Sequence, residues 1–328
     1  MTENQRSGNQ WRRVVAGFLG VAFGAALLYF ALRGADLAEV KRLFGGIAPQ
    51  WIASAWLVYA ASVVLRVLRW RLLLKEIVPE LSAAAVGETL LVGYAVNNVL
   101  PARLGELFRA DYAKRRLGIG RAGALGSIIT ERLLDGLMII TLLWIGLLLV
   151  RWQSADSEVE LLKTVALGAS VFITVMIGFV LLLAFFGGRF ERLPAWLGTR
   201  IGHLVEGIVA WRRGPTLAVG ILTVMIWIGE ACALWLVFRA TGFLLTGGQT
   251  AALMGSASLS TLIPTAPAYL GSYQYVFVVA MRAFAWPESA GIVAATVIQA
   301  VFYGSVTLSG LSLMIYRAAV PLPKSSSK

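Results

Sequence analysis

Apolar residues run in long blocks along this chain, and polar residues gather in the gaps between them. Six blocks, approximately 14–32, 51–74, 122–150, 162–186, 216–238 and 288–316, are long enough to cross roughly 30 Å of hydrocarbon as helices. Two more, about 83–112 and 250–285, are apolar but interrupted by proline and glycine. Backbone polar groups cannot be left unsatisfied against lipid, so these two read as re-entrant or discontinuous helices. The pattern predicts an all-α polytopic membrane protein with about six full spans and two broken helices.

The same pattern repeats. Residues 14–150 and 162–316 each read as two spans, a broken region and one long span. Gly93 to Pro101 matches Gly255 to Pro264, and Leu104-Gly105 matches Leu270-Gly271. Three full crossings per half would insert the second half upside down, the inverted-topology repeat of many transporters, with broken helices meeting near the midplane. If all eight blocks spanned fully, each half would cross four times and the repeat would be parallel. Residues 1–13 and 317–328 are expected to be cytoplasmic tails flanking one transmembrane domain, 14–316.

Composition agrees with this class. The chain is 58% hydrophobic and 14% charged, against about 25% charged in soluble domains. Its net charge of +12 does not argue for nucleic acid, because the basic residues sit in short loops and form no basic domain. Placing the N-terminus in the cytoplasm puts 21 Lys and Arg in inside segments against 7 outside, a positive-inside asymmetry. Both termini are therefore expected inside, in a plasma (inner) membrane. Arg6, Arg12 and Arg13 precede the apolar run Val14–Leu32 as in a signal peptide. That run is 19 residues long with no small-x-small site after it, which favours an uncleaved first span. Trp11, Trp51, Trp152 and Trp286 lie near span ends, where an interfacial belt accounts for them.

The candidate chemistry lies where charge interrupts apolar sequence. Glu131, Arg132 and Asp135 precede an apolar stretch, Gly136–Val150, that is too short to span alone, so the charges must begin inside the membrane or at its inner boundary. On a helix, Glu131 and Asp135 stand about 40° apart, with Arg132 in reach of Asp135 at i,i+3. Charged groups at this depth must face protein or a wet cavity. They either clamp helices together or line a substrate path. Asn97, Asn98, Arg103 and Glu106 surround the first break, with Arg109 just beyond. Amides there can satisfy freed backbone groups, and Arg103 or Arg109 can engage an anionic head group bidentately. Tyr269, Ser272, Tyr273 and Gln274 give the second break uncharged hydrogen-bonding groups. Glu88 and Glu230 are isolated intramembrane acids, read as proton carriers or as partners of Arg66, Arg69 or Arg132.

Absences narrow the classes. A single cysteine, Cys232, and a single histidine, His203, exclude an intrachain disulfide and His or Cys metal clusters. There is no GxxxxGK[ST] loop, GxSxG elbow or HExxH pair, so no cofactor, metal site or catalytic residue is expected and the chain reads as a non-enzyme. An intramembrane transferase using Glu131 or Asp135 as base is the alternative, and an envelope-assembly protein without transport is a third class.

The run Asn98-Val99-Leu100-Pro101-Ala102-Arg103-Leu104-Gly105-Glu106-Leu107-Phe108-Arg109, followed by Glu131-Arg132-Leu133-Leu134-Asp135, resembles the membrane region of the lysyl-phosphatidylglycerol synthase/flippase family and its stand-alone relatives. Ile263-Pro264 to Gly271 resembles that family's second motif, although Tyr273-Gln274 stands where an arginine–glutamate pair is expected. The resemblance covers roughly 14–316. It implies a translocase that moves an anionic or modified phospholipid, a glycolipid or a polyprenyl-phosphate lipid between leaflets. It also implies membrane lipids as partners, with a separate lipid-synthesising enzyme, since no aminoacyl-transferase domain is present here.

Overall fold

The computed structural model describes residues 21–75, 77–100, 104–150, 156–186, 199, 202–205, 207–208, 216–262 and 266–319. Among them the regular structure is helical throughout, with no strand. The helices are α1 (Val21–Leu32), α2 (Leu37–Gly45), α3 (Pro49–Lys75), α4 (Ala83–Val99), α5 (Gly105–Leu117) and α6 (Arg121–Leu149). They continue with α7 (Asp156–Phe186), α8 (Thr216–Ala240), α9 (Gly247–Ser260), α10 (Ser272–Ala283), α11 (Glu288–Ile298) and α12 (Gly304–Ala319). A π-helical turn, Gln299–Tyr303, joins the last two into one span.

Five helical stretches are long and apolar enough to cross a membrane: α3, α6, Val159–Val180 of α7, α8 and the combined Glu288–Ala319. A sixth forms if α1 and α2, bent by 90° at their junction, count as one span. The bend is a departure from sequence expectation, which left 33–50 as an outer loop. Asp36 starts the second helix there by accepting from the Ala38 and Glu39 amides at 2.8 and 3.3 Å, which satisfies two of its orphan donors.

The first broken region is a helical hairpin. Gly93 packs on the Arg109 stem, Gly105 on Asn97, and Glu88 pairs with Tyr112 and Arg116, so α4 and α5 run antiparallel over their length. Glycine is required at the tip: a Cβ on Gly105 would lie 2.4 Å from the Gly93 carbonyl oxygen. Two antiparallel helices turning back at one end have the shape expected of a re-entrant element. The residues at its apex, 101–103, lie outside the described residues, and with them Pro101 and Arg103.

Helix pairing gives the two halves opposite senses. α3 packs antiparallel on its counterpart α8, with Ser62 against Gly229 and Arg69 bonded to Thr223. Two equivalent helices can be antiparallel only if the halves are related by an axis across them, which is the inverted arrangement. Two further contacts cross between halves. α9 packs on α6 through Gly255 on Leu143 and Gly146 on Ala252, and α4 packs on α12 through Gly310 against Leu91 and Ala95. Without a hydrophobic drive between helices in lipid, such small-residue approaches carry the association through van der Waals contact. The C-terminal span has 56% of its most apolar window buried and α7 only 6%, so α7 lies at the edge of the bundle.

Candidate functional site

The apolar faces of α3, α6 and α8 are interrupted at one level by charge. Asp135 is 14 residues into α6, so about 21 Å from its start and well inside the span. It accepts from Arg69 at 2.8 and 3.2 Å, from Arg66 at 3.4 Å and from the Trp227 indole at 3.2 Å. One turn earlier, Glu131 takes Arg109 bidentately at 3.0 and 3.2 Å and Arg132 at 2.7 Å. Arg132 also pairs with Asp135 at 3.5 Å, as its i,i+3 spacing predicts, and with Glu106 at 3.1 Å. Glu230 of α8 closes the network on Arg66 at 2.6 and 2.9 Å.

Each charge is housed by its surroundings. The Arg109 guanidinium lies 3.6 Å above the Trp70 ring, whose indole N–H donates to Ser127, so the ring covers the face that carboxylates cannot satisfy. Arg69, Arg109, Glu131 and Asp135 are fully or almost fully buried. Removing one member would leave its partner's charge unpaired in a low dielectric. Of the two acids expected inside the membrane, Glu230 belongs to this network. Glu88 lies elsewhere, at the hairpin base, where Tyr112, Arg116 and Arg317 all donate to it at 2.8–3.1 Å. Burial alone would raise that carboxyl, but these three donors outweigh it and hold Glu88 below the usual carboxylate range. Burial and the neighbouring Glu88 in turn push the Tyr112 phenol up to about 12.

A cavity of about 1190 Å³ opens beside the network. Arg66, Glu106, Arg132, Asp135 and Glu230 line one wall, with Asn97 and Asn98 from the last turn of α4. Asn98 donates to Thr307 at 2.9 Å, whereas the Asn97 carbonyl oxygen and the Tyr94 hydroxyl are buried without a hydrogen-bond partner among the described residues. Tyr59, Tyr269, Tyr273 and Tyr303 line another wall, and the apolar residues Val165, Phe172, Ile173 and Met176 of α7 line a third. One space thus offers charge, hydroxyl groups and a hydrocarbon-like surface.

The tyrosine wall is held by the second break. Ala268 and Tyr269 have left-handed backbones (φ 54° and 61°), and Gly271 follows at φ 89°, packed so closely on Gly24 of α1 that no side chain fits. Gln274 spends both ends of its amide on protein, accepting from the Gly271 amide and donating to Gln299, which donates in turn to the Ala268 carbonyl at 2.9 Å. The π turn containing Gln299 places Tyr303 edge-on to Tyr269 and Tyr273, with ring centroids 5.7 and 5.8 Å apart.

Among the expected site residues, Asn97, Asn98, Glu106, Arg132, Asp135, Glu230, Tyr269 and Tyr273 face the cavity. Arg109 and Glu131 stand behind its charged wall, and Ser272 and Gln274 behind its tyrosine wall. Arg103 lies outside the described residues. The sequence offered Arg66 and Arg69 as partners of the isolated acids, and both are buried within α3, where Arg66 takes Glu230 and both take Asp135. Tyr59, Tyr94, Trp227 and Tyr303 carried no local signal.

Fold and site together define a multi-pass membrane protein with a cavity lined by charged groups, tyrosines and an apolar helix face. The chain belongs to the family described as the lysylphosphatidylglycerol synthase TM region, whose model matches residues 17–310, and a role in membrane lipid handling follows. It is also similar to glycosyltransferase AglD of Haloferax volcanii, 26% identical over 333 residues that cover 90% of this chain and 53% of that protein. The chain thus spans about half the length of that curated relative. This likeness corrects the expectation of a non-enzyme, since a relative matched along most of this chain is named a glycosyltransferase. No solved structure matches the chain.

Proposed function

We propose that the protein is a lipid translocase that takes the head group of an anionic lipid into the cavity and passes it between leaflets. The carrying observation is a single cavity bounded by a charged wall on one side and by the apolar face of α7 on another. A head group at Arg132, Asn97 and Asn98 would exchange water for fixed hydrogen-bond partners, while its tails stay along α7 in lipid. The tyrosines would take the uncharged part of the head group. Both termini are cytoplasmic in this reading, the membrane is the inner membrane, and a separate enzyme makes the lipid. In reconstituted vesicles, purified protein is expected to speed leaflet exchange of labelled phosphatidylglycerol, and Arg132→Gln to slow it. Exchange at the protein-free rate would refute translocation.

A second reading is favoured by the name of the AglD relative: the cavity holds a lipid phosphate as acceptor for sugar transfer. Incubation with a sugar donor and lipid phosphate would then yield a new glycolipid on thin-layer chromatography, lost in Asp135→Asn. No product with any donor would set this reading aside.

A further inference from the structure

The charged network is balanced before any ligand arrives. Among the described residues, Arg66, Arg69, Arg109 and Arg132 face Glu106, Glu131, Asp135 and Glu230, four cations against four carboxylates. An anion entering this network finds no spare positive charge among those residues, and must either leave the cluster negative or displace a carboxylate. The carboxylates differ in how firmly they are held. Asp135 and Glu131 are buried with several donors each, and Glu230 takes two nitrogens of Arg66. Glu106 has one partner among the described residues, Arg132, and the contact is an ion pair only, since the Arg132 Nε makes no hydrogen bond. Both side chains are also the accessible ones, 32% and 26% exposed, and both line the cavity.

We infer that Glu106 is an internal counter-ion for Arg132, displaced when the phosphodiester of a lipid head group binds. The inference rests on the anionic-lipid reading above and specifies its chemistry. One carboxylate released for one phosphate keeps the site neutral only if the phosphate carries a single charge, which selects diesters over monoesters and pyrophosphates. Release is inexpensive for Glu106. It sits in the first turn of α5, whose N-terminus has no side-chain cap, and the free amides there favour a carboxylate close by.

The test is displacement of acyl-labelled fluorescent phosphatidylglycerol from the detergent-solubilised full chain. Competitors are unlabelled phosphatidylglycerol, phosphatidylcholine, phosphatidic acid at pH 8, where its monoester approaches two charges, and soluble glycerophosphoglycerol. Wild type is expected to prefer phosphatidylglycerol. Glu106→Gln, which leaves the network with one positive charge in excess while Arg132 keeps Glu131 and Asp135, is expected to bind it about five- to tenfold more tightly, with a smaller gain for phosphatidylcholine, whose choline cation offsets the same phosphodiester. Glu106→Asp should behave as wild type, and adding Arg132→Gln should erase the gain. A wild-type preference with equal or weaker binding by Glu106→Gln would overturn the counter-ion and leave the translocase reading standing. No wild-type preference would overturn both. Displacement by glycerophosphoglycerol as effective as by the intact lipid would make the ligand a soluble phosphodiester and overturn the lipid assignment.

Discussion

Asp135 shows what a buried charge demands of its neighbours. Four groups, two on α3, one on α8 and one on its own helix, converge on one carboxylate. Asp135→Asn is therefore expected to lower stability by about 3–5 kcal/mol, the cost of stranding a buried partner, read as a fall in melting temperature in detergent. Asp135→Leu combined with Arg69→Met should lose less than the two single changes summed, because neither charge is then left alone. Glu88 behaves differently because it titrates from a depressed value. Its contribution is complete above the unfolded carboxylate pKa of about 4.3 and is lost as pH falls through its lower folded value. Melting temperatures between pH 6 and 3 should fall more steeply for wild type than for Glu88→Gln; parallel curves would remove Glu88 from the acid response.

The helices divide into those whose sequence announces them and those that depend on distant partners. Proline, glycine and paired amides inside apolar sequence marked the first break, because lipid tolerates none of them unsatisfied. Glu131, Arg132 and Asp135 were legible for the same reason, as charge in a stretch that must be buried. Arg66 and Arg69 were legible only as candidate partners of the isolated acids; that both reach Asp135 depends on how α3 packs beside α6. The π turn at Gln299–Tyr303 is stabilised across the chain by Gln274, 25 residues away, which no local periodicity reports. Close packing at the hairpin makes its own prediction. Gly105→Ala, with its Cβ directed at the Gly93 carbonyl, should cost about 1–3 kcal/mol and impair assembly. Gly220→Ala on α8, where a Cβ meets nothing within 4 Å, should be neutral or slightly stabilising by thermal melt.

At the scale of the molecule, two halves of opposite sense bring a hairpin and a second broken segment to one cavity, and the antiparallel pairing of α3 with α8 holds them there. The cavity has a charged end and an apolar flank, matching the two chemistries of a lipid. If the proposed orientation holds, a cysteine replacing Gly118 should label from the cytoplasmic side and one replacing Gly242 from the outside, in a Cys232→Ser background. Labelling of both from one side would break the inverted topology. Passage of a lipid head group through this cavity is the function proposed for it. Its most direct measurement is leaflet exchange of acyl-labelled phosphatidylglycerol in vesicles holding wild type, Arg132→Gln or no protein. Faster exchange with wild type, falling toward the protein-free rate in the variant while its fold persists, is the predicted result; equal rates in all three would contradict it.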